Sequence, residues 1–241
     1  MARDILTDSE LRARWRGERE ITLSPGTIVT PAARDFLHEK GVTVRTAGET
    51  MTVRAGTGGY IDEATGQPLA EKGEFMTHLH ANVLVPKTDL RIAFRGKLDS
   101  LMAQTLLLQC RALSQGLEEL AAGLGEVLET ERAVLAAEVK GEPLPERELL
   151  GLDGAGLRRV SHHVLEEIGI PHPIPGPDMG ETALELNCLR TQVREAELAA
   201  AAAFGEGREE DILRCLNRLS SAVYILFCRL VAARRGIKKK Q

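Results

Sequence analysis

The sequence predicts a mainly α protein, a five-helix antiparallel bundle with a small N-terminal α/β appendage. Three observations lead there. Aromatic residues make up only 3% of the 241-residue chain while Ala and Leu are abundant, a balance that suits Leu/Ala helix packing better than aromatic-rich strands. Two apolar stripes, Leu186, Leu189, Val193, Ala196, Ala200 and Ile212, Leu216, Leu219, Val223, Leu226, Leu230, alternate three- and four-residue steps, as a helix does when it buries one face. Ahead of them, Thr30-Pro31 opens and Gly41 closes a compact helical segment, with a cap, a first-turn proline and a terminal glycine each in its favoured place.

Composition narrows the function classes. A net charge of −4 supplies no general pull toward nucleic acid. The four cysteines, Cys110, Cys188, Cys215 and Cys228, are scattered without CxxC or CxxH spacing, so they read as reduced, buried thiols, neither a zinc site nor a disulfide framework. Residues 1–15 lack the long apolar run of a signal peptide. Arg218 and Arg229 interrupt the most hydrophobic stretch, so no membrane span is expected. The chain reads as cytoplasmic.

Taken in order, residues 4–16 predict a short helix capped by Thr7 or Asp8. ITLSPGTIV reads as a turn-broken extended segment, and VTVRTAGETMTV as two strands about a turn. Residues 1–55 thus form the appendage, too short to bury much core alone. Residues 56–75 are Gly-rich and polar, a linker or loop without a Walker pattern. Residues 76–236 form the bundle and 237–241 a basic tail. MTHLHANVLVPKTDLRI reads as an irregular segment holding Thr77, His78, His80, Lys87 and Arg91. Helices are expected over about 91–122, 124–139, 145–168, 179–203 and 207–234, the first burying Leu98, Leu101, Thr105, Leu108 and Ala112. Between the third and fourth, GIPHPIPGPDMG is a loop stiffened by four prolines. Ser161-His162 is not a catalytic dyad, because adjacent side chains diverge on a helix.

One position beyond each apolar stripe lies a polar one: Arg190, Arg194, Glu197 and then Asn217, Ser220, Tyr224. Arginines four residues apart repel by about a few tenths of a kcal/mol unless an anion sits between them. Asp99 lies one position off the stripe of the first long helix. A carboxylate there is either solvated or paired with Arg190 or Arg194.

The segments THLHANVLVPKTDLRI, FRGKLDSL, LNCLRTQVREAE and LNRLSSAVYIL together resemble the ATP:cob(I)alamin adenosyltransferases of the propanediol-utilization type. TPAARDFLHEKGV and VSHHVL bring the likeness closer to the ethanolamine-utilization branch. The resemblance implies a homotrimer with each active site at a subunit interface, where the 5′-deoxyadenosyl group of ATP passes to the cobalt of cobalamin with Mg²⁺ present. Cob(I)alamin is itself the nucleophile, so the protein has to position, neutralise charge and exclude water.

By motif, the resemblance assigns Thr77, Lys87, Arg91, Arg190, Arg194, Glu197, Asn217 and Arg218 to ATP. It pairs Asp99 with Arg190 and makes Asp99, Arg190 and Arg194 the catalytic set. It also implies ethanolamine-utilization enzymes or a reductase as partners and a bacterial microcompartment as a location.

Departures from the family pattern carry expectations too. EKGEFM replaces the Gly-Asp-rich turn before the THL segment, and Ser221 stands where an Asp is usual. The cysteine cluster that binds a metal in the ethanolamine branch is absent from YIDEATGQPLAEKGEF, so no side-chain metal site is expected. His172 and Ile174 occupy the neighbourhood of the aromatic residue that displaces the lower ligand of cobalt, and so become the cobalamin-contact candidates. A non-catalytic carrier or sensor of adenosylcobalamin or nucleotide is the alternative on the same fold.

Overall fold

The computed structural model describes residues 5–24, 27–30, 32–33, 36–37, 40–46, 49–53, 59–205 and 209–237. The chain divides into two compact units, Met1–Pro86 and Lys87–Gln241.

The first unit holds the strands. Strands β1 (Ile5–Leu6) and β3 (Ile28–Val29) pair in parallel. Strand β2 (Glu20–Leu23) runs parallel to β4 (Thr43–Thr46), which pairs antiparallel with β5 (Glu49–Val53). Helix α1 (Asp8–Arg14) is capped by Thr7 in a reciprocal capping box with Glu10. The Ala33 N–H donates to Thr30 Oγ1 at 3.3 Å, the cap expected there, while Pro31 itself lies outside the described residues. Leu6, Leu11, Ala33, Phe36, Leu37 and Val42 form a small core under Trp15.

Residues 59–86 depart from the expected linker and irregular segment. Strands β6 (Tyr60–Asp62), β7 (Pro68–Leu69), β8 (Met76–His80) and β9 (Val83–Pro86) form a sheet in the order β7-β6-β9-β8. The turn between β6 and β7 is made by Asp62, which accepts the Thr65 N–H at 2.9 Å, and by Gly66 at φ +68°. Polarity concealed this sheet: its strands alternate short apolar residues with His, Thr and Asp.

The second unit is helical: α2 (Leu90–Ser114), α3 (Glu118–Lys140), α4 (Gly154–His162), α5 (Val164–Ile168), a 3₁₀ turn (Pro177–Met179), α6 (Glu181–Phe204) and α7 (Glu210–Arg234). Helix α7 packs on α3, α4, α5 and α6, and α2 packs on α3 and α6. All the stripe residues expected on α2, α6 and α7 are buried.

Boundaries differ from expectation at the glycines. The break expected near Gly123 falls at Gly116 instead, which takes the left-handed φ of +69° that ends α2. Gly123 stays helical because α3 needs it bare, since a Cβ there would lie 2.7 Å from a Leu226 methyl of α7. The helix expected over 145–168 starts only at the Asp153 cap. Leu150 and Gly151, at φ +58° and +73°, keep the preceding chain out of helix. Helix α7 does have the length and composition of a membrane span, contrary to the sequence expectation. Two-thirds of its most apolar window is buried among the other helices, as befits a core helix. The cysteines also correct one expectation: all four are free, but only Cys228 is buried, while Cys110 and Cys188 are exposed.

Ion pairs tie the helices at their ends: Arg95 to Glu138 at 2.6 Å, and Arg111 to Glu181 and Glu185 at 2.8 and 2.6 Å. Glu131 of α3 is different. It is wholly buried, accepts the Thr105 hydroxyl of α2 at 2.9 Å, and leaves Oε2 unbonded. Burial first, against a smaller opposing pull from Thr105, pushes its carboxyl up to about 8. The folded state therefore keeps a proton that the unfolded chain releases near the ordinary value of 4.5. Stability is full below that value and declines as pH rises toward 8, then levels. Glu131→Gln keeps the acceptor for Thr105 without the titration. Thermal melts at pH 5 and 8.5 are expected to show a smaller loss of Tm in the variant than in the parent.

Candidate active site

The polar stripes of α6 and α7 meet along their shared seam. The Asn217 amide donates to Glu197 Oε1 at 2.9 Å, and Arg218 Nη1 donates to Asn217 Oδ1 at 3.0 Å. A carboxylate of α6, an amide of α7 and a guanidinium thus form one chain of hydrogen bonds. The spacing allows it, because Arg190, Arg194 and Glu197 share a face of α6 just as Asn217, Ser220 and Tyr224 share one of α7. Glu197 is half-buried and Asn217 and Arg194 are exposed, so the seam opens to solvent.

Arg190 is half-buried and held on two sides. Its Nε and Nη2 donate to Asn187 Oδ1 at 3.3 and 3.2 Å, and its guanidinium lies 5.8 Å from the centre of the Tyr224 ring. Neither contact neutralises its charge. Among the described residues no carboxylate pairs with it, and the two contacts fix the orientation of a guanidinium that keeps its full charge.

Tyr224, which the sequence offered only as a helix-edge residue, is the hub of this arrangement. Its hydroxyl lies 2.8 Å from His172 Nδ1, the two rings stack at 6.0 Å, and His172 Nε2 lies 3.3 Å from the His162 carbonyl. A carbonyl only accepts, so Nε2 carries the proton and, in the neutral ring, the phenol donates to Nδ1. Burial, reinforced by Cys228, raises the Tyr224 hydroxyl well above its ordinary range and keeps it a donor. The same burial pushes the Cys228 thiol up to about 12. Tyr224 therefore joins the proline-stiffened loop to the arginine on α6. Its signal was the seven-residue spacing from Asn217, together with an aromatic ring on a polar stripe.

The other candidates lie differently. Thr77 sits on β8 opposite Val85, in the first unit. Lys87 and Arg91 precede and open α2. Arg91 is bound bidentately by Asp89, Nε and Nη2 each donating to a carboxylate oxygen at 2.9 and 2.8 Å. Asp99 is exposed on α2 and has no ion pair among the described residues. The predicted pair with Arg190 is thus not formed within one chain. Ile174 is 86% exposed on the proline loop. Among the described residues no group of three or more His, Cys, Asp or Glu is placed to hold a metal ion.

The helical unit thus carries a seam between α6 and α7 along which Arg190 and Arg218 are held by neutral side chains. The chain belongs to the cobalamin adenosyltransferase family, whose model matches residues 70–230. It is 32% identical to the corrinoid adenosyltransferase EutT of Escherichia coli (strain K12) over 253 residues, covering 93% of this chain and 91% of the relative. It is 31% identical to the corrinoid adenosyltransferase EutT of Salmonella typhimurium (strain LT2) over 255 residues, covering 95% and 93%. The reaction is adenosylation of cobalamin with ATP.

Tyr224 gives a graded test. Tyr224→Phe keeps the ring under Arg190 and loses the bond to His172, whereas Tyr224→Leu loses both. A cation–π seat at a partly open site contributes about 0.5–1 kcal/mol, so the Leu variant is expected to raise the KM for ATP by about two- to fivefold. Steady-state kinetics of both variants checks this, with the Phe variant close to the parent.

Proposed function

We propose that this chain is an ATP:cob(I)alamin adenosyltransferase of the ethanolamine-utilization type. It acts as a homotrimer of five-helix antiparallel bundles, built from the helices between Leu90 and Arg234, with ATP bound between subunits. The observation that carries the reading is Arg190: a half-buried, pre-oriented guanidinium whose contacts among the described residues are neutral.

The cobalt of cob(I)alamin attacks C5′ of ATP with its own electron pair. A cobalt–carbon bond forms, the C5′–oxygen bond breaks, and tripolyphosphate leaves with that bond's electrons. The chain's task is to hold the phosphates in line and disperse their growing charge. Arg190 and Arg194 do this from α6, with Arg218 adjoining through Asn217. Lys87 and Arg91 complete the nucleotide contacts from the residues before and at the start of α2. Mg²⁺ bound with ATP would lower the repulsion within the phosphate chain. Glu197, an oxygen donor of the type that ion prefers, is half-buried on the same seam. His172 and Ile174 face cobalamin on the stiff loop.

The trimer reading rests on an unpartnered face of α2. Leu106, Leu107 and Leu113 are 52%, 66% and 60% exposed, and with Cys110 they follow the three- and four-residue steps of one stripe. Asp99 lies seven residues, about two turns, before Leu106 on the same face, so burying the stripe against a second copy carries Asp99 into the contact. There it meets Arg190 of the neighbouring copy, which resolves both unpaired charges at once. The enzyme works in the cytoplasm, associated with a microcompartment and supplied with cob(I)alamin by a reductase, and residues 1–55 serve as the recruiting appendage.

Arg190→Ala is expected to abolish formation of adenosylcobalamin from ATP and chemically reduced cobalamin, read from the cobalamin spectrum. Full turnover in that variant would remove the site. A carrier of adenosylcobalamin is the second reading, favoured by Ser221 at the usual aspartate position, where its hydroxyl reaches only the Asn217 carbonyl at 3.5 Å. Tight binding of cobalamin without turnover in the parent supports it. The intersubunit pair has its own test. Co-expressed Asp99→Ala and Arg190→Ala subunits are expected to regain part of the activity that each lacks alone, because some interfaces then hold both native residues. A pair made within one chain allows no regain.

A further inference from the structure

Beyond the seam, helix α7 presents a second cationic face. Arg214 and Arg218 stand four residues apart on α7 and line a cavity of about 490 Å³ together with Arg158 of α4 and Arg147 of the preceding loop. That volume is in the range of small-molecule sites. Four arginines from three elements thus line one hollow, three of them exposed and Arg218 half-buried. Arg147 and Arg158 have no ion-pair partner among the described residues. Arg214 reaches Glu146 loosely, at 3.6 Å, and that carboxylate is 83% exposed.

The other two carboxylates of the lining are engaged with backbone. Asp211 Oδ2 accepts the Leu144 N–H at 2.6 Å and Oδ1 accepts its neighbour Ile212 N–H at 2.9 Å. Asp153 Oδ1 accepts the Gly156 N–H at 2.6 Å as the cap of α4. These aspartates hold the loop and the helix in place through backbone N–H groups, and the lining sets four guanidiniums against three carboxylates, an excess of one positive charge. Arg218 lies against the first residue of α4, Gly154, where an added Cβ would meet its Nε at 3.6 Å, an ordinary van der Waals contact. The remaining titratable group, Cys215, has its thiol pushed up to about 11 by burial and stays neutral.

We propose that this hollow is an oligophosphate site, joined to the seam through Arg218 and otherwise distinct from the contacts of Arg190 and Arg194. Planar guanidiniums bind phosphate oxygens in forks, and several converging ones favour a chain of phosphates over a single monoanion. Two sources carry that chemistry: the tail of a bound nucleotide, or free tripolyphosphate. The site stands whether or not the chain adenosylates cobalamin.

Calorimetric titration of the full chain with sodium tripolyphosphate tests it, using the parent, Arg147→Ala/Arg158→Ala, and Arg147→Lys/Arg158→Lys. The alanine pair is expected to weaken tripolyphosphate binding by about tenfold or more, with partial recovery in the lysine pair. ATP titrations distinguish the sources. A parallel loss for ATP assigns the hollow to the nucleotide's tail, and unchanged ATP binding assigns it to the free anion. Equal tripolyphosphate binding by parent and alanine pair, with both folded by circular dichroism, overturns the site. So does no binding by the parent. Neither result bears on the cobalamin spectrum of Arg190→Ala, so the two readings fail separately.

Discussion

The helical unit depends on burying α7. Its apolar residues face four other helices, including Ile212, Leu216, Leu219, Val223, Phe227 and Leu230 in one continuous core. Truncating such a residue to Ala costs about 2–5 kcal/mol, a large part of the stability of an ordinary domain. Rotation of α7 about its axis is therefore forbidden, and with it any drift of the polar residues riding on its remaining faces. Asn217, Arg218 and Tyr224 hold their directions because Leu216, Leu219 and Val223 have no alternative place. Precision at the seam comes from apolar packing beneath it.

Much of this was legible in the sequence because period is a property of sequence. The stripes of α2, α6 and α7 follow helical steps, and every residue read from them is buried. Arg190, Arg194, Glu197 and Asn217 were legible for the same reason, as polar positions beside an apolar seam. What escaped depended on partners distant along the chain. His172 and Tyr224 are 52 residues apart, and nothing local in either segment announces their bond. The strands at 60–86 escaped because two- to five-residue pieces carry too few side chains for an alternation to stand out.

Glycine misled for a related reason. Gly116 and Gly123 look alike in a string of letters, yet one ends a helix by its backbone and the other lets two helices approach. The distinction lies in Leu226, more than a hundred residues on. Asp99 shows a third kind of limit. Its position at a core edge suggested a partner, but the described residues of the chain supply none, and a single copy leaves both Asp99 and Arg190 unpaired.

The clamp of Asp89 on Arg91 has one more consequence. Asp89 also caps α2, accepting the Arg91 N–H at 2.8 Å, and that hydrogen-bonded arginine holds its carboxyl below the usual range. A phosphate that recruits Arg91 must displace a carboxylate which is also stitching the first turn of a helix. The opening of α2 thus couples the helix cap to the side chain of Arg91, so that turning the guanidinium away would loosen the first turn as well.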